Sequence, residues 1–146
     1  ASSRLYRRLV IEKKIAVSSG TYYSSNYKGP GRFIFYASPR GDVSLNELEK
    51  ALETEITKIV SIGVTENEGG RAKSRLGAEA IYARDSLSGG ARTLGAALAS
   101  GLSVEDVENW PDRISAVTRE QIHAAARALF NKNYSVTGLL LPANKR

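Results

Sequence analysis

Apolar positions change their spacing at several points along the chain, and each change marks an element. Over residues 3–14, Leu5 and Leu9 fall on one stripe and Tyr6 and Val10 on the adjoining one. Arg4, Arg8 and Glu12 recur at steps of four elsewhere, which predicts a short helix with Lys13 and Lys14 in its last turn. From Ile15 the spacing shortens. IAVSSGTYYSSN alternates small and β-favouring residues, YKGPG turns the chain and RFIFYAS supplies a second strand, so a hairpin is expected, followed by a turn at PRGD.

Helical spacing then takes over. Four starts carry a Ser or Thr whose hydroxyl satisfies a free backbone N–H, with an acid or amide three residues on: Ser44 with Glu47, Thr65 with Glu68, Ser103 with Asp106 and Thr118 with Gln121. After Ser44, Leu45, Leu48, Leu52, Ile56 and Ile59 form a core stripe, Gly63 suits the helix end, and Glu47, Glu49, Glu53 and Glu55 are read as its wet face. After Thr65 the stripe is Leu76, Ala80, Ala83 and Leu87, weakened at its start by Gly69 and Gly70 and broken at SLSGG. ARTLGAALASG is a small-residue helix ending at Gly101. Pro111 forces a stop or restart near Trp110, and TREQIHAAARALF aligns Ile122, Ala126 and Leu129. The closing YSVTGLLLP reads as a buried strand. Segregated strands and helices predict an α+β fold: a largely antiparallel sheet, rejoined by the last strand, with helices packed on one face.

Composition narrows the chemistry. A chain of 146 residues, 42% hydrophobic and 25% charged, is about one domain, with no run long enough to span a membrane. Cysteine is absent, which removes disulfides, thiolate catalysis and cysteine-ligated zinc. Methionine is absent as well, so residues 1–146 are expected to be one domain, truncated at its N-terminus, of something longer. The net charge of +6 is uneven: residues 1–40 hold eight cations against Glu12, giving +7, and the remainder is −1. Such an end suits an anionic partner or an acidic neighbour.

No site assembles from residue types alone. His123 is the only histidine, so H-x-x-E-H and H-E-x-x-H zinc sites are excluded and a serine triad has little to draw on. GPGR and SGGAR lack the strand, lysine and spacing of a phosphate-binding loop. A nucleic-acid or anionic-surface module would use Arg4, Arg7, Arg8, Lys28 and Arg32, but strand aromatics usually serve packing and no RNA-binding motif accompanies them.

Four patches in order carry a family resemblance: SSRLYRRLVIEKKIAVSSGTYY, ELEKALETEITKIVSIGVTENEGGRAKSRLGAEAIY, RISAVTREQIHAAARALF and SVTGLLLP. Together they resemble the C-terminal, non-catalytic domain of the pitrilysin or insulinase family of zinc metallopeptidases, built from paired α+β domains that close as a clamshell around unfolded peptide. The resemblance implies zinc in an upstream domain of the same parent, held by an inverted H-x-x-E-H motif, and no catalytic, cofactor or metal residue here. It also implies docking to that domain and to a homologous subunit. Many relatives place an arginine and, seven residues later, a tyrosine where this chain has Val10 and Val17. The helper pair is therefore absent, as in the second half of a zinc-bearing subunit or in a noncatalytic scaffold subunit. Val10, Val17, Tyr22 and Tyr23 become the candidate substrate-chamber positions. Location stays open, with a bacterial periplasm or envelope an expectation from the resemblance only.

Overall fold

The computed structural model describes residues 3–24, 28–83, 86 and 88–141. The first element is a π-helix, Tyr6–Glu12, entered from Leu5. Its i→i+5 geometry appears in the Lys13 N–H, which donates to Arg8 O at 2.9 Å. This end comes earlier than the spacing predicts: Lys13 caps the helix and Lys14 takes φ 54°, so neither lies in the last turn. Strands β1 (Ala16–Ser24) and β2 (Arg32–Pro39) pair in a two-stranded antiparallel sheet. Tyr36 lies over Gly20, where any Cβ would overlap its ring. Glycine here lets an aromatic cross the neighbouring strand. The end of the predicted first strand, at 25–26, and Tyr27 of the turn fall outside the described residues.

Helices α1 (Leu45–Ile62), α2 (Glu66–Ala83), α3 (Gly89–Ala99), α4 (Val104–Glu108), α5 (Trp110–Ala116) and α6 (Arg119–Leu129) follow. Their starts obey the caps. Thr65 and Glu68, Ser103 and Asp106, and Thr118 and Gln121 form reciprocal boxes, and Ser44 Oγ accepts from the Glu47 N–H. Pro111 sits in the first turn of α5, where its missing N–H costs nothing, and Asn109 ends α4 as α5 begins. Gly63 ends α1 at φ 74°, a left-handed value that suits glycine. The fold class is α+β, as the spacing predicts.

The chain divides into two compact units. The first comprises Ala1–Gly20, Tyr36–Ile62 and Ala124–Arg146, and among its described residues Leu5, Leu9, Val10, Ala16, Leu48 and Ala126 are buried. The second comprises Thr21–Phe35 and Gly63–His123, where α2 packs on α5 and α4 on both α3 and α5.

Two expectations are corrected. Residues 135–141 form no strand: after a 3₁₀ turn, Lys132–Tyr134, they carry no regular structure, with Val136 98% and Leu140 93% exposed. A strand needs a neighbour for its N–H and C=O groups, and the described sheet consists of β1 and β2 alone. Glu55 is not on the wet face; it is 1% exposed. Seven residues make nearly two helical turns, so Glu55 falls almost directly over Leu48 in the core stripe.

Candidate functional site

Two surfaces invite a functional reading, one in the second unit and one on the hairpin. A cleft of about 280 Å³ opens where the first turns of α2 meet the α5–α6 connection. Gly69 and Gly70 open the α2 side between Glu66 and Lys73, and Ile122 and Val117 supply apolar lining. Its charged groups are already engaged. Lys73 Nζ donates to Ser115 O at 2.9 Å and Val117 O at 3.1 Å, neutralising carbonyls at the end of α5. Arg119 Nε donates to Val64 O at 3.1 Å, and its guanidinium lies 3.8 Å from Glu66.

The cleft is also closed to anions in the usual sense. The Thr65 and Thr118 boxes occupy the N–H groups that open α2 and α6. Glu120 is held below the usual carboxylate range by its own backbone N–H, then by Thr118 and by the charge of Arg119, so it stays an anion at neutral pH. The arrangement braces α2 against the α5–α6 turn and offers a polar contact surface.

His123 is half-buried against Gly63: a Cβ on that glycine would stand 3.2 Å from the imidazole Cγ. Among the described residues no three His, Cys, Asp or Glu side chains gather as metal ligands.

On the hairpin, Tyr23, Phe33 and Phe35 form an aromatic row, with ring centroids 5.9 and 4.9 Å apart. Tyr22, Tyr23, Ile34, Tyr36 and Val17 are all exposed, whereas Val10 is buried in the π-helix. The structure thus opens three of the four candidate chamber positions to solvent and encloses the fourth. The basic cluster is partly consumed: Arg7 Nε lies 3.3 Å from Glu12 Oε1, and Arg8 pairs with the same carboxylate. Exposed pairs of this kind contribute about 0–1 kcal/mol, but they leave fewer free cations for a phosphate backbone. Sequence reasoning missed the Lys73 brace. Its signal was the lysine one turn beyond Gly69 and Gly70, on the side of α2 that meets the α5–α6 connection.

A family model described as the peptidase M16 inactive domain matches residues 1–76. Comparison with curated proteins finds no match. Three solved structures share the fold. A protease from Helicobacter pylori superposes with TM-score 0.77 at 19% identity, over 87% of this chain and 30% of that one. A Bordetella pertussis Tohama I protein described as a zinc protease gives 0.70 at 24%, over 87% and 69%. The inactive peptidase domain of a Bordetella parapertussis protein described in the same terms gives 0.75 at 22%, over 98% and 78%. The chain therefore spans less than a third of the Helicobacter protein, and about a fifth of the B. parapertussis domain has no counterpart in it.

Proposed function

Because the chain belongs to the peptidase M16 inactive-domain family, whose model covers residues 1–76, we propose that it is a substrate-enclosing, partner-docking domain of a zinc metalloendopeptidase. It supplies wall and positive field and leaves the chemistry to a zinc-bearing domain upstream in the same parent. The observation that carries this reading is the hairpin. Strands β1 and β2 expose Val17, Tyr22, Tyr23, Ile34 and Tyr36, Lys28 lies in the connection between them and Arg32 opens β2. Successive strand residues point to opposite faces, so Tyr22 and Ile34 stand on one face and Tyr23 with the Phe33–Phe35 row on the other; aromatic surface of this kind binds unfolded peptide without selecting one sequence, since it offers area at little cost in side-chain entropy. Val17, Tyr22 and Tyr23 meet the peptide on this reading, and Val10 serves the wall through packing alone.

The test uses the parent protein and an unfolded peptide substrate. Tyr22→Ala with Tyr23→Ala raises KM about fivefold at unchanged kcat, the loss of roughly 1 kcal/mol of binding shared by ground and transition states. An unchanged KM, or cleavage by the 146-residue chain alone, defeats the proposal.

One observation favours a second reading. Val10 and Val17 stand where many relatives keep the helper arginine and tyrosine, which fits either a subunit whose homologous partner supplies the pair or a noncatalytic scaffold. Zinc content of the parent separates them: one equivalent, with H-x-x-E-H upstream, supports the peptidase, and neither supports the scaffold.

A further inference from the structure

The second half of β2 alternates: Tyr36 and Ser38 are exposed, Ala37 and Pro39 are half-buried, and Arg40, just past the strand, is exposed again. Successive residues of a strand point to opposite faces, so Tyr36, Ser38 and Arg40 share the open one, with about 13 Å from the first to the last. The Tyr36 side chain leans across the neighbouring strand. Its ring lies on Gly20 of β1, where a Cβ would come within 2.4 Å of the hydroxyl oxygen and 2.6 Å of Cζ. A ring laid across a glycine and still 53% exposed is a platform whose outer side is open to a ligand.

The other end of this face is positively charged. The Arg40 N–H donates to Ile15 O at 3.0 Å, which sets Arg40 beside the residue that follows Lys13 and Lys14. Lys14 holds φ 54°, a left-handed value that suits glycine better than lysine, so a cation stands where the backbone alone would favour no side chain. All three cations are exposed, and among the described residues none of their side chains has an ion pair. The acids nearest in sequence do not cancel them. Glu12 is held by Arg7 and Arg8, and Asp42 is a single charge in the turn that follows. A cluster of this kind beside an aromatic platform favours a ligand that is apolar at one end and anionic at the other.

We propose that the Tyr36–Ser38–Arg40 face is a subsite for an extended acidic peptide segment. An aromatic or apolar side chain lies on the Tyr36 ring, the small Ser38 keeps the strand face low between the two ends, and a carboxylate about four residues along pairs with Arg40 and Lys14. The inference names the substrate's chemistry within the peptide-enclosing reading above and rests on that reading. Arg40 and Lys14 act here on selection, because opposite charge draws an acidic segment and like charge turns a basic one away.

Binding of labelled, unstructured peptides to the 146-residue chain is followed by fluorescence anisotropy over a range of salt. One peptide carries a phenylalanine with glutamates four and five residues on, one has lysines in place of the glutamates, and one has alanine in place of the phenylalanine. The glutamate peptide is expected to bind about tenfold more tightly than the lysine peptide at low salt, and the preference to fade as the Debye length shortens. Lys14→Gly, which the left-handed turn accommodates, combined with Arg40→Gln, brings those two peptides to equal affinity. Tyr36→Ala abolishes the difference between phenylalanine and alanine and keeps the charge preference, with the circular dichroism of the helices retained in both variants. Equal binding of the glutamate and lysine peptides by the natural chain overturns the inference and leaves the enclosing reading standing, whereas no binding by any peptide overturns both. A charge preference that survives the loss of Lys14 and Arg40 overturns it as well, and so does equal affinity of the natural chain for the phenylalanine and alanine peptides.

Discussion

Glu55 is the residue whose chemistry and position disagree most. Its side chain is 1% exposed, one oxygen accepts from Lys58 Nζ at 2.8 Å, and the other has no partner. A carboxylate taken out of water loses hydration that a single lysine, itself half in solvent, returns only in part. Replacing both functions by apolar volume removes that penalty, whereas removing the lysine alone leaves it uncompensated. Glu55→Met is therefore expected to raise the urea midpoint, and Lys58→Ala to lower stability by about 1–3 kcal/mol. Equal losses in both variants would show that the pair stabilises the fold outright. The register of Glu55 was legible all along, seven residues after Leu48 and four before Ile59. What hid it was residue type: acids are so rarely buried that a glutamate in the stripe reads as a neighbour of the stripe.

At the scale of elements, the legible parts are those whose determinants lie within a few residues of one another. Capping boxes are local, and Thr65, Ser103 and Thr118 each close their box. Pro111 is local, and the helix restarts beside it. The π geometry of the first helix has no such marker, so its end was placed two residues late. The tail failed for the opposite reason: Val136 to Leu141 have strand preference, but a strand exists only when another chain segment pairs with it.

The Ser103 box also has a pH signature. Asp106 is lowered below the usual aspartate range chiefly by the Ser103 backbone N–H, and also by the Ser103 hydroxyl and by Arg113, whose Nη1 lies 3.0 Å from Asp106 Oδ1. A depressed carboxyl contributes stability above its unfolded pKa of about 4 and loses it as pH falls through the lower folded value. The difference in urea stability between the natural chain and Asp106→Asn should be full at pH 6 and shrink towards zero below pH 3. A difference that is constant with pH would mean that the amide fails for steric reasons.

At the scale of the whole molecule, exposure itself becomes measurable. A chain of this mass exposes about 23,000 Å² when unfolded, and a domain of about 150 residues usually hides some 68–70% of that area. The observed surface of 11023 Å² leaves only about half hidden, and Ile81, Tyr82, Leu98, Leu129 and Leu140 are among the large apolar side chains in solvent. The heat capacity change of unfolding follows apolar area, and a complete domain of this length would show about 1.8–2.2 kcal/mol/K. The isolated chain should show about three-quarters of that, with a correspondingly low urea slope. The value should be independent of concentration, because +6 on each copy opposes self-association. A full heat capacity change in the isolated chain, rising with protein concentration, would show the apolar surface already covered by another copy, and the partner-docking reading would lose its physical basis.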